Sequence, residues 1–512
     1  MKQPSAVSGQ PSAGRVPIAG HHLALALLIV AGACAVGPGY HPSPVVAPSS
    51  QVGAASYSDS AKAFYDSLAL ARAADTLPTA GVTPLTPRRI AADSVANLAW
   101  LDILHDSTLN ALVQTALRQN RDLATAKARI EEYRADVGLA RSPLFPSLTA
   151  NGSVSKNQVA FGPQVFPYNA VRATVDVAWE LDFWGKTRRG MQAANADLAA
   201  QDAVEQETVL SLISSVAIGY LELLELDQEA QVSAHTLQTS QATLDLARQR
   251  YARGIISELD VRQFEAQVAA PAVRLAQVEQ ARAQTEHALN VLLGQGPAVI
   301  PRSGALADAA RAVTVPDSLP STLLSRRPDV RQAERAYRAA NARAGQAFAQ
   351  QLPVIMVTGS YGSQSANTSG LFKPQSDVYV AQIGISIPLF AGGARSSATA
   401  AAKARAEQAR NQYEQTVLRA LQDAGDALSG ARAARDQVAA AETQALALRR
   451  AYDLAQVRYK SGIANYLEVL DAERSLFAAE LTLSQAELGQ LTAAVQLYKA
   501  LGGSWDGMTV SK

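Results

Sequence analysis

The 512-residue sequence is poor in the residue types that most often signal chemistry. It contains one cysteine, so an internal disulfide is impossible. Aromatic residues make up only 6% of the chain, and the abundant alanine suits close-packed helices better than a large mixed core. With 46 Lys+Arg against 45 Asp+Glu, the net charge of +1 gives no basic footprint for nucleic acid.

The motifs of common enzymes are also missing. No Gly-x-Ser-x-Gly sequence and no phosphate-binding loop occurs. The histidines include no i, i+4 pair on a helix of the mature chain, so no helical zinc motif arises; they are His21, His22, His41, His105, His235 and His287. The sequence therefore predicts neither an enzyme nor a metal centre.

The N-terminal part is predicted to direct export. Residues 1–33 combine a polar leader with the apolar run Leu23–Ala31, which is too short to span a bilayer as a mature helix. Small residues then precede Cys34, as in bacterial lipoproteins, although Ala31 stands where that pattern prefers leucine. Cys34 is therefore predicted to carry a lipid; the alternative is a mature N-terminus with a free thiol. Residues 34–96 follow as a Pro/Ser/Ala-rich lead-in.

In the segment Val171–Gly185, every odd position from Val171 to Phe183 is apolar, and the even positions up to Asp182 are mostly charged. Side chains of a strand point alternately to opposite faces, so this pattern predicts a ribbon with one apolar and one charged side. The apolar side is about 30 Å tall once tilted, which matches a membrane. Trp179, Phe183 and Trp184 are predicted to form an aromatic girdle at its edge. A half-buried strand of a soluble sandwich is the alternative.

The chain is predicted to contain two copies of one unit. Arg250-Tyr251 and Gly254-Ile255 return as Arg458-Tyr459 and Gly462-Ile463, an offset of 208 residues. The first repeat covers residues 97–293 and the second 321–503, with a linker at 294–320 and a tail at 504–512.

Each repeat is predicted to contain a helix, a β-hairpin, a long proline-free helix, a glycine turn and a final helix. In the first repeat the predicted bounds are a helix over Ser107–Ser142, strands near Ser147–Phe161 and Val171–Gly185, and a last helix over Glu258–Leu293. In the second they are a helix over Ser321–Gln351, strands near Pro353–Ser363 and Tyr379–Phe390, and a last helix over Tyr466–Leu501.

Four strands per chain are too few to close a barrel, which needs about eight. Open sheet edges are not tolerated in lipid, so hairpins that enter a membrane require the chain to oligomerise. The sequence thus predicts a mainly helical protein with a membrane sheet shared between copies.

Several motifs occur in an order that resembles the TolC-like outer membrane factors, in particular the lipidated NodT/OprM-like efflux branch. They are Trp179-Glu180-Leu181-Asp182-Phe183-Trp184-Gly185, Arg326-Arg327-Pro328-Asp329, Ile387-Pro388-Leu389-Phe390-Ala391-Gly392-Gly393 and the Val36-Gly37-Pro38-Gly39-Tyr40 segment after Cys34. The resemblance implies a homotrimer with a twelve-stranded outer-membrane β-barrel that continues into a long periplasmic α-helical barrel. It also implies partners: a periplasmic adaptor protein, an inner-membrane pump of the RND type, and outer-membrane lipids.

The resemblance places the closed end of the duct at the helical hairpins around Gly254 and Gly462. Asp260, Glu468 and Asp471 fall on the family's acidic constriction, although carboxylates in the first turns of a helix are also expected from its dipole. The tips Gly254-Ile255 and Gly462-Ile463 are predicted to contact the adaptor, with a plain helical turn as the alternative. Ala464 stands where some relatives carry a basic residue.

The function that the sequence predicts is a passive exit duct for small-molecule efflux. A duct for type I protein secretion and a periplasmic coiled-coil scaffold without a barrel are the alternatives. No cofactor is expected other than the lipid on Cys34.

Overall fold

The computed structural model describes residues 106–303, 305–312 and 326–503. The predicted export signal, Cys34, the lead-in and the tail lie outside these residues. In chain order the elements are α1 (Ser107–Gln119), α2 (Arg121–Arg141), β1 (Ser147–Phe161), β2 (Gln164–Leu181), α3 (Lys186–Ala252), α4 (Glu258–Leu292), α5 (Leu306–Ala312), α6 (Pro328–Ala349), β3 (Val354–Ser365), β4 (Asp377–Ser386), α7 (Ala394–Lys460) and α8 (Tyr466–Ala500).

The two halves of the chain have the same order of elements. Helices α3 and α7 are both 67 residues long, and α4 and α8 are both 35 residues long. The start of α3 and the start of α7 are 208 residues apart, as are the starts of α4 and α8, which is the offset that the sequence repeat has.

The single helix predicted over Ser107–Ser142 is wrong, because the chain breaks at Asn120. Asn120 has an extended backbone, its side-chain oxygen accepts from the backbone N–H of Leu123, and its amide donates to the carbonyl of Leu292. One side chain thus begins α2 and also satisfies a carbonyl at the end of α4. Gly294 lies so close by that a Cβ there would be 2.3 Å from the carbonyl oxygen of Gln119.

The strand bounds also differ from the prediction. β2 begins at Gln164 rather than Val171, because Gly162-Pro163 forms a two-residue turn in which Gly162 has φ +58°. A positive φ at the first central position suits such hairpin turns. At the other ends, β2 stops at Leu181 and β4 at Ser386, before the predicted Gly185 and Phe390. Helix α6 is described only from Pro328, and it ends at Ala349 rather than Gln351.

By internal contacts the described chain divides into a strand-containing unit, residues 136–195 and 339–406, and a helical unit made of the remainder. The strand-containing unit has one antiparallel sheet in the order β1-β2-β3-β4. Paired residues share a face of the sheet. One face is therefore apolar across all four strands: its members include Leu148, Val154, Val171, Val175, Val177, Trp179, Leu181, Ile355, Val357, Tyr361, Tyr379, Ile383 and Ile385.

The opposite face of the sheet is mostly polar, although Val378 and Val380 of β4 also lie on it. Cross-strand neighbours there include Asn151, Arg172, Thr174, Asp176 and Ser360, and the Asn151 amide donates to the Asp176 carboxylate at 2.5 Å. β1 and β4 are the outer strands, and each pairs with only one other strand within the described chain. A sheet with this two-sided character and two open edges is suited to joining copies of itself.

The helical unit has its main core where α1, α3, α4, α5 and α8 meet. Tyr220 and Tyr498 are fully buried there among leucine and valine side chains. The Tyr220 hydroxyl donates to the Asp106 carboxylate at 2.7 Å, so the start of α1 is fixed to α3. Helix α3 contains the one window among the described helices that is long and apolar enough to cross a membrane, but two thirds of that window is buried inside the protein. It is a core helix by this measure.

Candidate functional site

The two helical hairpins end in turns of the same geometry. In the first, the Ile255 N–H donates to the Arg250 carbonyl at 2.9 Å, and Gly254 has φ +70°. In the second, the Ile463 N–H donates to the Arg458 carbonyl at 2.9 Å, and Gly462 has φ +75°. Each is a Schellman-type helix end, in which glycine adopts the left-handed conformation that other residues avoid.

Both turns present apolar side chains to the outside. Ile255 is 64% exposed and Ile463 is 73% exposed. Leu259 and Leu467, at equivalent positions in the two repeats, are also exposed. A pair of large aliphatic side chains at each hairpin end is a surface that a partner can cover.

Asp260 has a local structural task in the first hairpin. Ser257 and Asp260 form a capping box at the start of α4: the Ser257 N–H and hydroxyl both bond the Asp260 carboxylate, at 2.9 and 2.8 Å. The signal Ser-x-x-Asp was in the sequence but went unused in the prediction. Asn465, at the same place in the second hairpin, makes no such side-chain bond.

The two other predicted gate carboxylates lie together near the start of α8, each beside an arginine. Arg458 Nε is 3.4 Å from Glu468 Oε2, and Arg474 donates to Asp471 Oδ1 at 2.8 Å. All four side chains are at least half exposed. The structure thus brings Glu468 and Asp471 onto one helix end, whereas Asp260 lies on the other hairpin and is held by its cap.

An aromatic cluster, which the sequence prediction missed, joins the two hairpins. The ring centroids of Phe264 on α4 and Tyr466 on α8 are 3.5 Å apart, and Tyr459 lies edge-on to Tyr466 at 5.8 Å. The Arg250 guanidinium lies 4.6 Å above the Tyr459 ring. Buried Leu244, Ala247, Val261 and Val469 pack around these rings. Stacked and edge-on rings add stability beyond their buried area, so the cluster binds one hairpin to the other.

The Tyr466 hydroxyl in this cluster is buried and has no hydrogen-bond partner among the described residues. Burial raises the pKa of Tyr466, followed in effect by the carboxylate of Glu473. Glu473 itself is only 4% exposed and accepts from the Ser240 hydroxyl at 2.7 Å, and burial raises its pKa as well. It lines a cavity of about 360 Å³ between α3, α7 and α8, together with Tyr452 and Phe477.

A buried pair of carboxyl groups, Glu225 and Glu229, lies on α3. Glu229 forms an ion pair with Arg274 of α4 and accepts from the Gln485 amide of α8 at 3.2 Å. Within the part of the chain that the structure describes, Glu225 Oε1 is buried and has no hydrogen-bond partner. Burial, and then the neighbouring Glu229 carboxylate, raises the pKa of Glu225 to about 7. Glu225 therefore holds a proton at mildly acidic pH.

The residues predicted as an aromatic girdle lie at the junction of strands and helices. Trp179 is within β2, whereas Phe183 and Trp184 follow the strand and pack edge to face at 4.8 Å. The two indole N–H groups donate to backbone carbonyls, that of Trp179 to Leu144 at 3.1 Å and that of Trp184 to Pro353 at 2.7 Å. Both indoles thus fix the turns between helix and strand.

The acidic residues of the same motif organise the start of α3. The Asp182 carboxylate accepts from the backbone N–H groups of Thr187 and Arg188 at 3.0 and 2.9 Å, and Lys186 pairs with Glu180. Anionic groups stabilise the positive end of a helix. This explains why a strand that ends in acidic residues is followed at once by a basic helix start.

Among the described residues no group of three or more His, Cys, Asp or Glu is placed to hold a metal ion.

The chain matches the family model described as "Outer membrane efflux protein" over residues 112–295 and 319–503.

Curated relatives agree with the family model. The chain is 34% identical to "Probable efflux pump outer membrane protein TtgC" of Pseudomonas putida over 427 residues, 82% of this chain and 88% of that protein. It is 29% identical to "Cation efflux system protein CusC" of Escherichia coli, covering 81% of this chain and 90% of the relative.

Solved structures give the same result. The channel OprN aligns with a TM-score of 0.75 at 27% identity, covering 92% of this chain and all of that chain. The open-state MtrE channel of Neisseria gonorrhoeae aligns with the same TM-score and identity over 93% of this chain and all of its own. The predicted fold class, that of trimeric outer-membrane channels, is confirmed. The chain belongs to the outer membrane efflux protein family, whose members are channels of the bacterial outer membrane.

Proposed function

We propose that three copies of this chain form a passive duct through which small molecules leave the cell. The observation that carries the proposal is the sheet: one face is apolar on all four strands, the other is mostly polar, and within the described chain both outer strands have an open edge. Three such sheets joined edge to edge give a closed barrel of twelve strands with a polar interior. Closure satisfies every strand edge, which a membrane requires.

The cargo and partners follow from the relatives. The names of similar proteins refer to toluene, an antibiotic, cations and pyoverdine, all of them small solutes. A pump of the RND type in the inner membrane would drive such cargo, and a periplasmic adaptor would join the pump to the duct at Gly254-Ile255 and Gly462-Ile463. The exposed isoleucines at these two turns support that contact surface.

The acidic end of α8 would form the periplasmic gate. Threefold symmetry would place three copies each of Glu468 and Asp471 around one axis, with Asp260 of the first hairpin nearby. A ring of carboxylates attracts cations and repels anions, as in cation-selective channels. In this gate the arginines Arg458 and Arg474 would hold the carboxylates in place within each copy.

Cys34 would carry a covalent lipid that anchors the N-terminus to the outer membrane. Cys34→Ser should abolish labelling of the protein by a radioactive fatty acid, and it should leave the trimer intact because the barrel itself holds the membrane. Labelling that persists in the variant would exclude lipidation at this residue.

The choice between small-molecule efflux and polypeptide secretion can be tested in the host bacterium. Deleting the gene should raise the intracellular accumulation of at least one toxic small molecule in a panel of solvents, antibiotics and metal ions, and plasmid expression should reverse this. Unchanged accumulation together with the loss of a secreted polypeptide would favour type I secretion instead. A soluble, monomeric product would favour the scaffold.

A further inference from the structure

The β1–β2 hairpin is longer than the rest of the sheet. Pairing of β2 with β3 ends at Val171 and Ser365, whereas β1 and β2 continue for seven more residue pairs, from Ser155 and Ala170 to Phe161 and Gln164. At about 3.4 Å per residue this adds roughly 24 Å of hairpin beyond the pairing with β3. The hairpin turn lies at the ends of β1 and β2 away from their connections to α2 and α3, and in the proposed duct this is the outer end.

In this projecting part, aromatic side chains appear on the face that is polar in β2 up to Arg172. Even-numbered residues of β2 lie on the polar face of the sheet up to Arg172, yet the next even positions outward include Tyr168 and Phe166, and Val159 pairs with Phe166. On the other face, which continues the apolar membrane surface, Lys156 pairs with Asn169. Pairing is one to one throughout, so no bulge changes the faces.

In a membrane barrel, the position of these aromatic rings can be assigned to the lipid side or the water-filled side. The apolar face of the four-stranded part must contact lipid, so its polar face lines the water-filled interior. Tyr168 and Phe166 share that interior face, and both remain about half exposed in one chain. Beyond the lipid, the outer face is mixed, with polar Lys156 and Asn169 and also apolar Val165, whereas the inner face carries the aromatic rings of Phe166 and Tyr168.

We propose that Val159, Phe166 and Tyr168 of the three copies form an apolar lining at the outer mouth of the duct, which favours apolar solutes over hydrated ions. The inference rests on the proposed duct function and assigns a second place of selection, distinct from the acidic residues of α8. An apolar lining disfavours the passage of ions, because it offers no polar groups that replace the water molecules around them. Apolar solutes have no such hydration to give up, so the lining does not hinder them. These three residues would therefore influence which solutes pass.

The test uses the trimer in a planar bilayer, in a Glu468→Ala, Asp471→Ala background so that the periplasmic constriction limits the current less. Phe166→Ser with Tyr168→Ser should raise the potassium chloride conductance roughly twofold, because the lining becomes hydrated. Val165→Ser is the matched control: Val165 is next to Phe166 and equally exposed, at 51% against 50%, but on the opposite face. The control should conduct like the background.

A second measurement tests the geometry alone. Phe166→Cys and Val165→Cys are each treated from the outer side with a bulky, positively charged thiol reagent. The current through the Phe166→Cys channel should change by about a factor of two, and that through Val165→Cys should stay constant. Equal responses of the two positions, or no response of either, would overturn the proposed lining. An absence of any current before treatment would instead contradict the duct function itself.

Discussion

At the scale of single residues, the buried acids of α3 make the clearest physical prediction. Glu225 has a pKa raised to about 7 in the folded protein, whereas an unfolded glutamate titrates near 4.5. Because Glu225 holds its proton more tightly in the folded state, its contribution to the free energy of unfolding should be greatest below about pH 4.5. This contribution should fall as the pH rises to about 7.

Glu225→Gln cannot ionise at this position, so it should remove the fall in stability between about pH 4.5 and about pH 7. A shift of this size corresponds to at most about 3 kcal/mol per chain, so the variant should unfold at a higher temperature than the parent at pH 8 and at a similar temperature at pH 4.5. Glu222→Gln, an exposed position on the same helix, is the control and should behave like the parent. Helical circular dichroism during heating provides the measurement; parallel pH dependence in all three proteins would contradict the assignment.

The gate residues give a second prediction at this scale. Glu468→Ala with Asp471→Ala should raise single-channel conductance several-fold, and it should weaken cation selectivity and block by divalent or trivalent cations added from the tunnel side. The control is Asp436→Ala, an exposed carboxylate on α7. If the double variant conducts, selects and blocks like the parent, these carboxylates serve only as partners of Arg458 and Arg474.

At the scale of elements, alternation and repeat spacing were sufficient to predict most helices and the strand pairing. The remaining differences come from contacts and turns that these patterns do not contain. Asn120 breaks a predicted helix because its side chain bonds both α2 and a carbonyl of α4, a contact 172 residues away in sequence. β2 extends to Gln164 because Gly162 permits a tight turn. The Phe264–Tyr466 pair joins two repeats, and no local pattern announces such a long-range contact.

This aromatic cluster can be tested by two substitutions. Phe264→Ala should lower the free energy of unfolding by about 3 kcal/mol, since it opens a cavity against Tyr466. Tyr466→Phe should be neutral or stabilising, because it removes a buried hydroxyl without a hydrogen-bond partner and keeps the ring. Denaturant or thermal unfolding of the two variants measures these changes. If Tyr466→Phe lowers the free energy of unfolding as much as Phe264→Ala does, the hydroxyl has a hydrogen-bond partner.

The hairpin tips make the other prediction for an element. Charged side chains at both tips, Ile255→Glu with Ile463→Glu, should reduce efflux and adaptor co-purification while trimer levels in the outer membrane stay unchanged. Val291→Glu, an exposed apolar position at the other end of α4, serves as the control. Normal efflux by the double variant would place the adaptor contact elsewhere.

At the scale of the whole molecule, the four-stranded sheet determines how copies of the chain can form a membrane channel. Its apolar and polar faces could be predicted from alternation in β2, but the continuity of the apolar face over four strands depends on register, which the sequence does not display. The placement of Phe166 and Tyr168 on the mostly polar face of the sheet follows only from that register. The single chain leaves both outer strands open, so its membrane form must contain more than one copy.

The most direct test is the mass of the protein part of the complex, measured by native mass spectrometry after mild detergent extraction of the outer membrane. A closed barrel of twelve strands requires a complex of three chains, and we expect to recover this complex from the outer-membrane fraction. A single chain, or protein found only in the soluble periplasmic fraction, would contradict the closed barrel and the duct that depends on it.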